Sequence, residues 1–95
     1  MIVIRNSFIA KPGQASKLAA QLKEAAKTAQ MPNHRILTDL TGDFNRVILE
    51  FTVANIGEWE AGLKTYNTNQ EFRAKMAGYT DLWITGSREL YQVVE

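Results

Sequence analysis

The order in which hydrophobic periodicity changes along the chain limits its fold more than any other feature. The pattern alternates as a strand does, then repeats at helical spacing, then gives two more strands, a second helix and a last strand. Ile2 to Ala10 is the first strand, rich in β-branched and aromatic residues and stopped by Lys11-Pro12-Gly13. Ile2, Ile4, Asn6 and Phe8 share one face; Val3, Arg5, Ser7 and Ile9 share the other. Gln14 to Gln30 carries Ala15, Leu18, Ala19, Leu22, Ala26 and Ala29 as a narrow helical stripe. Such a stripe lets the helix lie close to a sheet. Met31-Pro32-Asn33 ends it, because proline disfavours helical geometry in the residue before it.

His34 to Thr41 reads as the second strand, Gly42-Asp43 as a two-residue hairpin turn, and Phe44 to Val53 as the third strand. Val47, Leu49, Phe51 and Val53 form one apolar face, with Arg46, Ile48, Glu50 and Thr52 opposite. Asn55 and Glu58 have the spacing of a capping box, opening a helix that places Ile56, Trp59, Leu63 and Tyr66 inward. Thr68 and Glu71 repeat that spacing, so the helix is expected to break near Asn67 and restart with Phe72, Met76 and Tyr79 inward. Gly78 is its stop. Leu82 to Val94 contains the last strand, whose two faces are equally mixed, so the pattern does not say which is inward.

The order βαββαβ predicts an α+β, ferredoxin-like fold: an antiparallel sheet, right-handed crossovers, and helices on one face. A chain of 95 residues suits one domain over residues 1–95. Composition narrows the classes further. A net charge of +1 with no basic stripe argues against nucleic-acid binding. No run approaches the ~20 apolar residues of a membrane span, and the first residues do not read as a signal peptide. The absence of cysteine fits a reducing compartment, so a cytoplasmic location is expected.

Two helices cover only one side of such a sheet. The other side carries Val3, Ile9, Leu37 and Ile48 together with Arg5, Asp39, Arg46, Glu50 and Thr52. It is too apolar to leave wet and too charged for a core. A second copy packed against it would bury the apolar residues and let charges pair. A homodimer interface through Arg5, Asp39, Arg46, Ile48, Glu50 and Thr52 is therefore expected. Arg46 and Glu50, with Arg5 nearby across the sheet, read either as structural ion pairs at that interface or as a carboxylate flanked by arginines that binds or activates a ligand.

On the helix side, Phe8, Phe51, Trp59, Leu63, Tyr66, Phe72, Met76 and Trp83 converge opposite an alanine-rich helix. They either interlock as a filled core or line a pocket for a flat apolar ligand, with Asn6 and Tyr66 as its polar groups. No metal pattern, nucleophile triad or phosphate-cradling glycine loop is present. His34, the one histidine, has no carboxylate beside it in sequence and reads as a strand-edge residue.

The start Ile2-Val3-Ile4-Arg5-Asn6-Ser7-Phe8 with Lys-Pro-Gly resembles the dimeric α/β-barrel superfamily. So do Val53 to Glu60 and Gly86-Ser87-Arg88-Glu89-Leu90-Tyr91. Antibiotic-biosynthesis monooxygenases and NIPSNAP-like proteins belong to it. The resemblance spans nearly the whole chain and implies homodimers with a pocket between sheet and helices in each subunit. Its haem-degrading branch uses an Asn, a Trp and a His; Asn6 and Trp59 match, but Asn69 stands about where the His belongs. Its cofactor-free oxygenase branch uses an Asn, a Trp four residues on and a Tyr within two turns. Asn55 and Trp59 match, and Tyr66 is one residue out. The resemblance thus implies binding or conversion of a small apolar or aromatic metabolite without a cofactor, with Asn6, Asn55, Trp59 and Tyr66 as candidate catalytic residues. A non-catalytic dimerisation module with a filled core is the alternative.

Overall fold

A computed structural model describes residues 1–95. Its sheet has four strands: β1 (Ile2–Ala10), β2 (Arg35–Thr38), β3 (Arg46–Val53) and β4 (Trp83–Gln92). The helices are α1 (Ala15–Thr28), α2 (Ile56–Thr68) and α3 (Gln70–Lys75), and a 3-10 turn at Tyr79–Asp81 leads into β4. The strand order is β2-β3-β1-β4 and every neighbouring pair is antiparallel. This is the expected ferredoxin-like arrangement.

The two central strands carry the core. Ile4 lies opposite Phe51 and Ile2 opposite Val53, so their apolar faces meet side by side beneath the helices. From α1, Leu18, Leu22, Ala25 and Ala26 are buried against this surface. Each fully buried leucine contributes about 1.5–3 kcal/mol. The distribution of burial along the chain is uneven. After Val53 the only buried residue is Leu82, and neither α2 nor α3 has one. The first helix is clamped to the sheet; the second helical segment stands away from it.

Three local expectations need correction. The second strand stops at Thr38, and a loop spans 39–45 in place of a two-residue turn. Asp39 makes the wider loop: its carboxylate accepts from the Arg46 N–H at 3.0 Å, and its own N–H bonds to the Arg46 carbonyl at 3.3 Å. Leu40 and Phe44 on that loop are 99% and 87% exposed. The helical break falls at Asn69, not Asn67. The Asn69 side chain accepts from the Phe72 N–H at 3.0 Å, whereas the Thr68 hydroxyl donates back to the Lys64 carbonyl at 2.9 Å. The Thr68–Glu71 box therefore does not form. Ile56, expected inward, sits in the first turn of α2 and is exposed.

The ambiguity of the last strand has a physical cause. Ile9 pairs with Thr85 but Ala10 pairs with Trp83, so Ile84 is an extra residue, a β-bulge. Across the bulge the alternation changes phase. Trp83 and the Gly86, Arg88, Leu90 series therefore face the same helix side. Ile84 itself is 63% exposed.

Candidate functional site

The stand-off of α2 and α3 leaves a cavity of about 380 Å³ between them and the sheet. Its floor comes from β1, β3 and β4 through Asn6, Phe8, Leu49, Phe51, Trp83, Gly86 and Arg88. Its roof comes from Trp59, Leu63, Tyr66 and Asn67 of α2, then Phe72, Met76 and Tyr79. Leu22 and Met31 close the side toward α1. All the expected pocket residues, Phe8, Phe51, Leu63, Phe72, Met76 and Trp83, line this one space, as do Asn6, Trp59 and Tyr66. A depression of about 560 Å³ along the 39–46 loop is larger, but it is polar and gathers no buried, unpartnered polar group.

Local sequence explains the geometry. Trp59, Leu63 and Tyr66 recur at helical spacing on one side of α2. The Asn69 cap then turns the chain so that α3 presents Phe72 and Met76 to the same space. Gln21 of α1 holds α3 down by donating its amide to the carbonyls of Lys75 and Ala77, both at 2.9 Å. The rings pack on one another: Phe8 and Trp83 centroids are 5.3 Å apart, Tyr66 and Phe72 5.5 Å, and Phe51 meets Tyr66 edge-on at 6.3 Å. Gly86 keeps room for Phe8, since a Cβ there would stand 3.0 Å from the Phe8 ring and 3.2 Å from the Ser7 carbonyl oxygen.

The polar groups of the cavity are few. Arg88 donates its Nε to Asn6 Oδ1 at 2.8 Å, and its guanidinium carbon lies 5.9 Å from the Trp59 ring centre. The indole N–H groups of Trp59 and Trp83 are buried and bond to nothing in the protein. A buried donor left unpaired costs about 1–3 kcal/mol, and buried indoles usually find a partner. Burial raises the Tyr66 phenol above its ordinary value, and the nearby Glu58 carboxylate raises it further, so Tyr66 stays protonated.

Asn55 lies elsewhere. Its side chain accepts from the Glu58 N–H at 2.9 Å as the cap of α2, and it does not line the cavity. His34 is also outside, with Nδ1 2.8 Å from the Met31 carbonyl oxygen. Asn69 is spent as a helix cap. No histidine therefore reaches the cavity, and the residues present do not supply the one used by the haem-degrading branch. No group of three or more His, Cys, Asp or Glu side chains is gathered anywhere. Arg88 is the residue that sequence reasoning passed over. It was legible only as the cross-strand partner of Asn6, and the bulge at Ile84 hid that register.

The residues expected at a dimer interface sit on the far side of the sheet. Ile48, Glu50 and Thr52 share that face with Arg5, and Arg46 follows the same alternation. Asp39 closes the loop onto Arg46. One pairing differs from expectation: Glu50 binds Arg5 at 2.9 Å and Arg35 at 2.7 Å, while Arg46 pairs with Asp43. Arg5 and Arg35 stand directly opposite Glu50 on the two neighbouring strands, much closer than Arg46, which lies roughly 13 Å along the same strand.

No protein-family model and no curated protein matches the sequence. Solved structures do. A NIPSNAP domain protein from Burkholderia xenovorans superposes with a TM-score of 0.86 at 11% identity, covering 99% of this chain and 95% of that one. A NIPSNAP family protein from Agrobacterium tumefaciens gives 0.86 at 13% identity, over 99% and 93% of the two chains. A candidate antibiotic-biosynthesis monooxygenase from Chloroflexus aurantiacus gives 0.74 at 18% identity, again over 99% and 93%. The likeness read in the sequence thus holds for the fold, which this chain shares with both groups from end to end.

Proposed function

We propose that this chain acts as a homodimer whose subunits each hold one small, flat aromatic metabolite between the sheet and α2–α3, and that it converts that metabolite as a cofactor-independent monooxygenase. The cavity carries the reading. A filled core would have favoured a module without a ligand, but about 380 Å³ lies within the range of small-molecule sites and is walled by aromatic rings. The fold shared with an antibiotic-biosynthesis monooxygenase supports the choice of chemistry. A cytoplasmic location belongs to the same proposal; no helix is long and apolar enough to cross a membrane.

The lining residues limit how such a reaction can run. None is an Asp, Glu or His, and Tyr66 is held protonated, so the cavity contains no base. The substrate must ionise by its own acidity. Asn6 then stabilises its oxyanion by hydrogen bonding, while the Trp59 ring orients the substrate. The anion reacts with oxygen directly: a ring CH2 exchanges its two hydrogens for one oxygen atom, and those hydrogens leave with the second oxygen as water.

Anthrone, whose central CH2 becomes a carbonyl, is a direct probe. Oxygen uptake above the uncatalysed rate is expected, falling about 100-fold or more in Asn6→Ala, the loss typical of one oxyanion donor. Trp59→Leu, which removes the aromatic wall, tests whether that ring orients the substrate. Binding of anthrone with no excess oxygen uptake reduces the proposal to a binding protein. Wild-type rates in both variants remove the assigned roles.

A further inference from the structure

We propose that the ligand of this cavity is an aromatic anion, with its charged oxygen at Arg88. The inference rests on the reading that the cavity holds a ligand and names its chemical class. Among the residues that line the space, Arg88 is the only charged one. Its guanidinium makes no ion pair, and its only side-chain bond is the one from Nε to Asn6. The terminal nitrogens are left to present a fork to an oxyanion.

That single bond also fixes the direction of Asn6. A guanidinium can only donate, so the Asn6 oxygen faces Arg88 and the amide N–H groups remain to donate elsewhere. The indole N–H groups of Trp59 and Trp83 are sealed off by the surrounding side chains, so their rings and not their nitrogens wall the space. Arg88 and the Asn6 amide are therefore two neighbouring donors among the lining residues. No carboxylate lines the space: Glu58, beside Trp59 in sequence, accepts from the Ala54 N–H, and Glu89, beside Arg88, accepts from the Tyr91 hydroxyl on the opposite face of the sheet. A cationic or amine ligand would find Arg88 and no counter-charge. A flat ring bearing an anionic oxygen satisfies both of these donors.

Binding of 2-naphthoate, 2-naphthamide and 2-naphthol, followed by tryptophan fluorescence and calorimetry, tests the class. Naphthoate is expected to bind about 10- to 100-fold tighter than the isosteric amide, as a charge-assisted bond implies. Arg88→Gln is expected to abolish that preference, bringing the naphthoate-to-amide affinity ratio to about one, and Arg88→Lys retains part of it. Arg88 is exposed, so both variants are expected to fold. A phenolate ligand is distinguished from a carboxylate by pH: affinity for naphthol climbs as it ionises, while naphthoate, already ionised, stays level from about pH 6 to 9. Bound naphthoate also shifts the indole N–H resonances. Equal affinity for acid and amide, or a naphthoate complex in which neither indole signal moves, overturns the assignment while leaving the cavity reading intact. Failure of all three probes to bind defeats the cavity reading itself.

Discussion

At the scale of single residues, Glu50 is the most constrained charge in the molecule. It is 7% exposed on the sheet face away from the helices. One carboxylate oxygen takes two nitrogens of Arg5, at 3.1 and 2.9 Å, and the other takes Arg35. Burial by itself pushes the carboxyl upward, but the hydrogen bonds and charges of Arg35 and Arg5 outweigh it and hold Glu50 below its ordinary 4.5. A depressed folded value means the folded state binds fewer protons than the unfolded one. The stabilisation is therefore complete above about pH 4.5 and is lost as pH falls through the folded value. Denaturation midpoints are expected to drop below pH 4.5 and to drop less in Glu50→Gln. At neutral pH that variant should lose about 1–2 kcal/mol, less than a fully buried pair because both guanidinium groups reach solvent. Chemical denaturation of the two proteins across pH checks this, and identical pH curves would remove Glu50 from the account. Sequence showed that Glu50 shares a face with arginines. It did not show which ones, because pairing across strands depends on register, and β2 ends at Thr38, short of the Thr41 its composition suggests.

At the scale of elements, α3 is the weakest link that shapes the site. Six residues are too few to be stable alone. Two side chains hold it: Asn69 caps its start, and Gln21 binds the carbonyls at its end. Asn69→Ala is expected to cost about 1 kcal/mol, the usual loss of an N-cap. It should also speed amide exchange over 70–76 while exchange in α1 stays slow. A uniform change along the chain would show that α3 is not a separate unit. This break was half legible. The Thr68–Glu71 spacing announced a restart, and Asn69 took the role because its oxygen reaches the Phe72 N–H while Thr68 bonds backward within α2. The β4 bulge was not legible at all. A single inserted residue leaves no compositional mark, yet it brings Trp83 and Arg88 to one face and so assembles the cavity. The aromatic residues of the site were found because helical and strand periodicity is local. The empty space among them was not, because it depends on how far α2 stands from the sheet.

At the scale of the whole molecule, the shape leaves one surface to be explained. The chain is a slab of 36 × 34 × 18 Å. A thickness of 18 Å holds one sheet and one layer of helices, since packed layers lie about 10 Å apart. No part of the chain roofs the far face, where Val3, Ile9, Leu37 and Ile48 are only half-buried. Three cations, Arg5, Arg35 and Arg46, share that face with Glu50, Glu89 and the adjoining Asp39. Asp43 also reaches Arg46, so charges of both signs are interspersed there, and a second copy can match opposite charges while its apolar residues gain cover. If the wild type pairs in this way, it sediments at about twice 10.7 kDa at micromolar concentration. Its thermal midpoint also rises with protein concentration, because the native dimer is favoured by mass action. Ile48→Lys places an uncompensated charge in the middle of that surface. It lies opposite Ser7 and Leu37, on the side away from the core, so the monomer should still fold. The variant is expected to sediment at half the wild-type mass, with a midpoint independent of concentration. A wild-type protein that is monomeric under those conditions would leave the charged and apolar face without a partner, and with it the homodimeric half of the proposed function.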